Sequence, residues 1–401
     1  MSSSLVLTRY LGVAVCARLA DEGARVAILL LVLERTGSAS LGGALIAALM
    51  VPHVLAAPVV GSVADAARQR RVVYVSAYLI YAACLGAAAV LIGRSTAGAV
   101  AVLVVAGCVA PLLIGGLSSL LGDLVPGRLE RAFGLDVMSY SMAGIAGPAF
   151  AAVLAGLAGP AWATAGLAAL VLVAAVLVTT LPLPLGTGSR RLASPFAALG
   201  LMWRRPRLGA VTAGTVFSLA GLGALPLVGA LLAAQQERPE LTGVILSAGA
   251  AGGLIGSLLC TRWPIRRWRP EWVVAVCLAA TAVPFVILVF LPGGWLGLPL
   301  FALAGGLGAP VSVAVFAVRD QESPPGVRTQ VFTLGAGLKV TAAAAGAAAA
   351  GLAAGIGAPA LLAAIAVCQV LGAVAVVLVG RVTPAADPAA DPARGIVSQA
   401  N

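Results

Sequence analysis

Twelve stretches of this chain stay apolar for about the length of a membrane-crossing helix, at 10–33, 41–64, 72–93, 97–121, 135–156, 161–181, 208–234, 241–260, 272–291, 296–318, 330–355 and 359–379. In hydrocarbon every backbone N–H and C=O must find a partner within the protein, so only helices and closed barrels can span. These runs are about twice the length of a barrel strand and do not alternate. They read as helices. Prolines inside several of them (Pro52, Pro58, Pro111, Pro148, Pro226, Pro284, Pro310) mark expected kinks, because neighbouring helices can satisfy the carbonyls a proline leaves free. Only 10% of residues are charged, against about 25% in soluble domains. The connections are too short for a separate soluble domain. Arg18, Asp21, Glu22 and Arg25 are foreign to the apolar core of a cleaved signal peptide, so the first run is expected to remain as a span.

The chain also repeats itself. Gly61 and Ser62, leading into Arg68, Arg70 and Arg71, recur 195 positions later as Gly256 and Ser257, leading into Arg262, Arg266 and Arg267. At an offset of 199, Pro111 matches Pro310, Asp123 matches Glu322, Gly127 matches Gly326, Phe133 matches Phe332 and Gly147 matches Gly346. The expected organisation is an all-α membrane protein of twelve transmembrane helices in two pseudo-symmetric six-helix halves, 1–181 and 208–380. A linker at 182–207 joins them, and a disordered tail at 381–401 repeats Ala-Ala-Asp-Pro. Within the linker, 194–205 is expected to form a short interfacial helix with Phe196, Leu199, Met202 and Trp203 towards lipid.

Arginines in the connections give an orientation, since short cytoplasmic loops are enriched in Lys and Arg. Nineteen, Arg70, Arg191, Arg266 and Arg319 among them, fall on one side; Arg35, Arg94 and Arg238 fall on the other. Both termini are expected in the cytoplasm, with the chain in the plasma (inner) membrane. The net charge of +11 lies between apolar runs rather than on a soluble basic face, which argues against nucleic-acid binding. Six cysteines are scattered singly without metal-ligand spacing, so no metal, disulfide framework or cofactor is expected. No nucleophile triad or paired loop acids point to an enzyme.

Two six-span halves, a basic linker and the Gly61, Asp65, Arg70 hinge between spans two and three resemble the major facilitator superfamily. The start of the chain is similar to bacterial drug and macrolide exporters of the proton-antiporter type, through Ala17, Leu19, Ala20, Asp21, Val26, Ala27 and the Thr36, Gly37, Ser38 exit. Ala66, Arg68 and Gln69 depart from the usual hinge pattern. Gly144, Gly147 and Pro148 resemble the antiporter motif of span five, with Ala151 and Ala152 where glycines are usual. Span four lacks the arginine that some of these exporters carry. The resemblance implies a conformational latch in which Asp65 meets the start of span eleven, near 328–331, together with Arg70. Asp65 can equally be a solvated interfacial carboxylate, and the span-five glycines ordinary packing.

Arg18, Asp21, Glu22 and Arg25 recur at i, i+3, i+4 and i+7, which puts them on one helix stripe where they neutralise one another. His53 and Lys339 fall near the middles of spans two and eleven. Ionisable groups at that depth usually face a cavity and mark a pathway. The charged stripe is therefore a candidate proton-coupling and substrate site, or else a structural clamp; His53 is either proton-linked or a packing residue. The resulting expectation is a monomeric secondary transporter in the lipid bilayer, exchanging protons for a small amphiphilic organic compound such as an antibiotic or secondary metabolite. A nutrient symporter, a lysophospholipid flippase and a non-transporting receptor or scaffold are the alternatives.

Overall fold

The protein was analysed as a computed structural model that describes residues 3–127, 129–185, 194, 197–238, 240–263, 268–291, 295–324 and 326–381. Among these residues there are twelve long helices and no strand. The first half contains α1 (Ser3–Thr36), α2 (Ala39–Ala66), α3 (Arg70–Leu91), α4 (Thr96–Leu124), α5 (Leu129–Ala158) and α6 (Pro160–Thr179). After a linker helix (Ala197–Arg204) come α7 (Pro206–Gln235), α8 (Glu240–Arg262), α9 (Pro270–Phe290), α10 (Leu298–Glu322), α11 (Arg328–Leu352) and α12 (Gly357–Arg381). Eleven are long and apolar enough to cross a membrane. The other, α1, is 34 residues long and carries the charges that set it apart in sequence.

Local chemistry explains where several helices begin. Ser38 caps α2 by accepting the N–H of Leu41, and Ser95 caps α4 by accepting that of Gly98. Prolines at the starts of α6, α7, α9 and α10 fill positions whose N–H has no helical partner. Pro111 precedes a π-helical turn at Leu112–Gly116 in α4, where Gly116 O accepts the Tyr74 hydroxyl at 2.7 Å. The repeat in sequence is also a repeat in backbone: Gly127 and Gly326 have φ of 93° and 94°, the left-handed conformation that glycine adopts without steric cost.

The helices of each half pack in the same order. α1 lies on α5 and α6, α2 on α4, and α3 on α4 and α6; correspondingly α7 lies on α11 and α12, α8 on α10, and α9 on α10 and α12. Small residues allow the close approaches. A Cβ on Gly147 would stand 2.7 Å from Leu19 O, where α5 crosses α1, and one on the matching Gly346 would stand 1.7 Å from Ala220 O, where α11 crosses α7.

Two symmetry-related seams, α2 with α11 and α5 with α8, join the halves. Both close towards the arginine-rich face. A Cβ on Gly61 would come within 2.6 Å of Gln330 Cα, and one on Gly134 within 2.8 Å of Thr261 Cγ2. An added Cβ on Gly43, Gly144, Gly243 or Gly351 would meet nothing within 4 Å. The linker helix corrects one expectation: Leu199 and Trp203 are exposed, but Met202 is buried against Leu208 and Val211, because the helix docks on the second half. Phe196, Arg128, Arg191, Arg266 and the tail beyond 381 lie outside the described residues.

Gly144 and Gly147 thus have different surroundings despite sharing a motif. Gly147→Ala is expected to lower the melting temperature of the purified protein through overpacking worth about 1–3 kcal/mol. Gly144→Ala should leave it unchanged. Equal melting temperatures for the two variants would contradict the α1–α5 contact.

Candidate substrate cavity

A cavity of about 390 Å³ lies between the halves, above their closed face. One wall is charged by α1. Arg25 donates to Glu22 at 2.8 Å and to Asp21 at 3.1 Å, and the Tyr81 hydroxyl of α3 donates to the other Asp21 oxygen at 2.9 Å. His53 of α2 lines the same space, buried, with Nε2 free of any partner among the described residues. The facing wall comes from α10 and α11 and carries Arg319, Lys339, Ser312, Phe316 and Phe332. Lys339 Nζ stands 5.6 Å from the Phe316 ring centroid, and Phe316 also packs on Phe133, Tyr140 and Phe332.

The structure brings Asp21, Glu22, Arg25, His53 and Lys339 to one cavity and removes Arg18 from it. Arg18 does not neutralise Asp21. Its guanidinium reaches between α4 and α5, pairs with Asp136 at 2.7 Å, donates to Ser118 at 2.9 Å and to Ser139, and lies over the Tyr140 ring at 3.6 Å. Tyr10 and Ser118 complete the Asp136 carboxylate at 2.6 and 2.8 Å. Both ionised groups are almost fully buried. The helical register is as the spacing implies, but the long arginine side chain turns towards a carboxylate 118 residues away. A lone acid at the start of an apolar run is the signal by which Asp136 could have been found.

Arg319 is a second correction. It does not belong to a loop on the arginine-rich face, as the sequence count has it, but lies within α10 at 1% exposure and lines the cavity. A helix that continues one turn past its apolar run carries such a residue inwards.

Beneath the cavity the halves are tied together. The Asp65 carboxylate, at the end of α2, accepts the N–H groups of Thr329 and Gln330 at 3.0 and 2.9 Å. These are unpaired donors of the first turn of α11, at the positive end of its dipole. Arg70 pairs with Asp123 at 2.7 Å. Asp123 also binds Arg328 at 2.9 Å and so bridges the two halves. Gln330 extends the contact by donating to Pro58 O and Ser194 O and accepting the Ala198 N–H of the linker helix. Gly61 leaves room for this approach, and Gly144, Gly147 and Pro148 lie in α5 as expected, with Gly147 against α1.

Paired six-helix halves around a central charged cavity, tied together on one face, are the architecture of a membrane transporter. The sequence pattern of the Major Facilitator Superfamily matches residues 10–358, and the chain belongs to that superfamily. No curated protein sequence matches significantly. Among solved structures, a bacterial homologue of the iron transporter ferroportin in an outward-facing state superposes with TM-score 0.77 at 16% identity, covering 94% of this chain and 99% of that one. The human organic anion transporter MFSD10 (TETRAN) gives 0.75 at 20%, covering 94% and 100%. The E. coli fucose:proton symporter gives 0.73 at 14%, covering 94% and 99%. At these identities the likeness establishes the fold alone.

The Arg18–Asp136 pair is expected to behave as a buried unit. Asp136→Asn strands a guanidinium and should destabilise the purified protein by about 3–5 kcal/mol, whereas the double change Arg18→Met with Asp136→Leu should recover most of the loss. Thermal unfolding in detergent measures both. A destabilised double variant with a normal Asp136→Asn protein would contradict the assignment.

Proposed function

We propose that this chain is a proton-coupled exporter of a small amphiphilic organic compound, an antibiotic or secondary metabolite, working by alternating access as a monomer in the plasma membrane. The observation that carries this reading is the Asp21 and Glu22 pair, held by the single Arg25 on the wall of a cavity between two movable halves. With both acids ionised the trio has a net charge of −1, and one added proton makes it neutral. A cationic or hydrogen-bond-donating part of a ligand competes with that proton for the same oxygens, so the two exclude each other as antiport requires. Tyr81 and His53 are the other titratable groups at this wall. The first-span and span-five resemblances support the exporter subtype.

The test uses efflux-deficient bacteria expressing the chain and a panel of amphiphilic antibiotics. Resistance to at least one compound is expected to rise and to disappear in Asp21→Asn or on collapse of the proton gradient, with Glu22→Gln following only if the two acids share the proton. Proton-dependent export that survives in both single variants and the double variant would make α1 a structural clamp. Uptake driven by the gradient would instead favour a symporter.

The arginine count supports a cytoplasmic closed face, with Asp65, Gly61 and Arg70 as the latch that would shut it. Cysteines introduced at Arg35 and Arg191 should then label from opposite sides of the membrane. Asp65→Asn should increase labelling of a cysteine at Thr333 from the side that reaches position 191. Same-side labelling of 35 and 191 would overturn the orientation, and an unchanged rate at 333 would return Asp65 to an interfacial role.

A further inference from the structure

The two walls of the cavity carry opposite charge, and only one of them is internally compensated. On α1, Arg25 engages both acids. On α10 and α11, neither Arg319 nor Lys339 has a carboxylate within ion-pair distance among the described residues, and Arg319 leaves Nε and Nη2 without any hydrogen-bond partner. The neighbouring carboxylate, Asp320, lies 3.5 Å from Arg328 instead. Arg319 is held where it is by shape: a Cβ on Gly335 would fall 2.2 Å from Nη2, so the guanidinium occupies the space that a side chain at 335 would fill. Lys339 is one turn further along α11, beside the Phe316 ring. The groups facing these two cations across the cavity are Asp21, Glu22, Arg25 and His53.

A buried cationic side chain without a counter-ion is costly, and an anion bound beside Arg319 and Lys339, next to the aromatic surface, would relieve that cost. We infer that the substrate is a zwitterionic amphiphile, whose carboxylate or other oxyanion binds Arg319 and Lys339 while its amine faces Asp21 and Glu22 and its apolar body lies on Phe316 and Phe332. This rests on the reading of the cavity as the substrate site and names the chemistry that fills it. Arg319 supplies a planar fork suited to an oxyanion, and Lys339 a point charge above it. The amine end is the part that a proton displaces.

The opposed fields can be measured on the full chain without any gradient or transport. Ser312→Cys, on α10, and Met50→Cys, on α2, each place a thiol on one wall; none of the native cysteines lines this cavity. Both are treated with an anionic and a cationic methanethiosulfonate, and rates are referred to a free thiol and to the parent chain. At Ser312→Cys the anionic reagent should react about tenfold faster than the cationic one, and Lys339→Gln or Arg319→Gln should each reduce that preference. At Met50→Cys the preference should fall or reverse. Millimolar 4-(aminomethyl)benzoate should then protect Ser312→Cys better than 4-methylbenzoate, and benzylamine should protect least. Equal reagent preference at the two positions, a cationic preference at Ser312→Cys, or no protection by 4-(aminomethyl)benzoate would each overturn the inference. Loss of resistance in Asp21→Asn with equal reagent preferences would leave proton-coupled export standing and remove only the zwitterion.

Discussion

One carboxylate ties the two halves together at the arginine-rich face. Asp65 sits where the dipole of its own helix is unfavourable to it, and its negative charge is satisfied across the interface by the unpaired N–H groups at the start of α11. Because the donors belong to one half and the acceptor to the other, the contact exists only while the halves are together at that face. Asp123, shared between Arg70 and Arg328, and Gln330, shared between α2 and the linker, make the same condition more stringent.

Inside each half, cohesion has a different source. Lipid chains offer no hydrophobic gain for pressing one apolar helix against another, so packing relies on close contact and on buried polar pairs. The glycine contacts of α1 with α5 and of α7 with α11 supply the first, and the Arg18–Asp136 cluster supplies the second in the first half. In the second half a neutral buried pair, Ser218 with Gln369 at 2.8 Å, joins α7 to α12 instead. The fold is thus duplicated more strictly in backbone than in side-chain chemistry, which leaves the cationic residues of α10 and α11 available for the cavity.

Much of this was legible in the sequence because apolar length, arginine placement and a 199-residue repeat are all linear signals. Twelve helices in two related halves follow from them directly. Asp21, Glu22, Arg25, His53 and Lys339 were visible because a charge inside an apolar run is conspicuous. What was not legible is partner choice. Arg18 and Asp136 are 118 positions apart, and nothing in the spacing of α1 says that the first arginine turns away from its neighbours. Arg70 could equally have been assigned to Asp65 or to Asp123, which lies at the end of a different helix. Arg319 was placed in a loop because the end of a run in sequence is not the end of a helix in space.

The two seams between the halves are copies of each other, yet they are chemically unlike. Along α2 and α11 there is an acid, its donors and a bridging ion-pair group; at the corresponding place along α5 and α8, Gly134 rests on Thr261, and Cys260 stands where the repeat would put a carboxylate. A charge at a helix end contributes from about 0.3 to about 2 kcal/mol, at most a few times thermal energy. The α2–α11 seam therefore carries a charge-assisted contact that must break when the halves part there, while the α5–α8 seam packs Gly134 on Thr261. Any event that alters this one carboxylate, or the start of α11 opposite it, acts on the first seam without disturbing the contacts that keep each half intact.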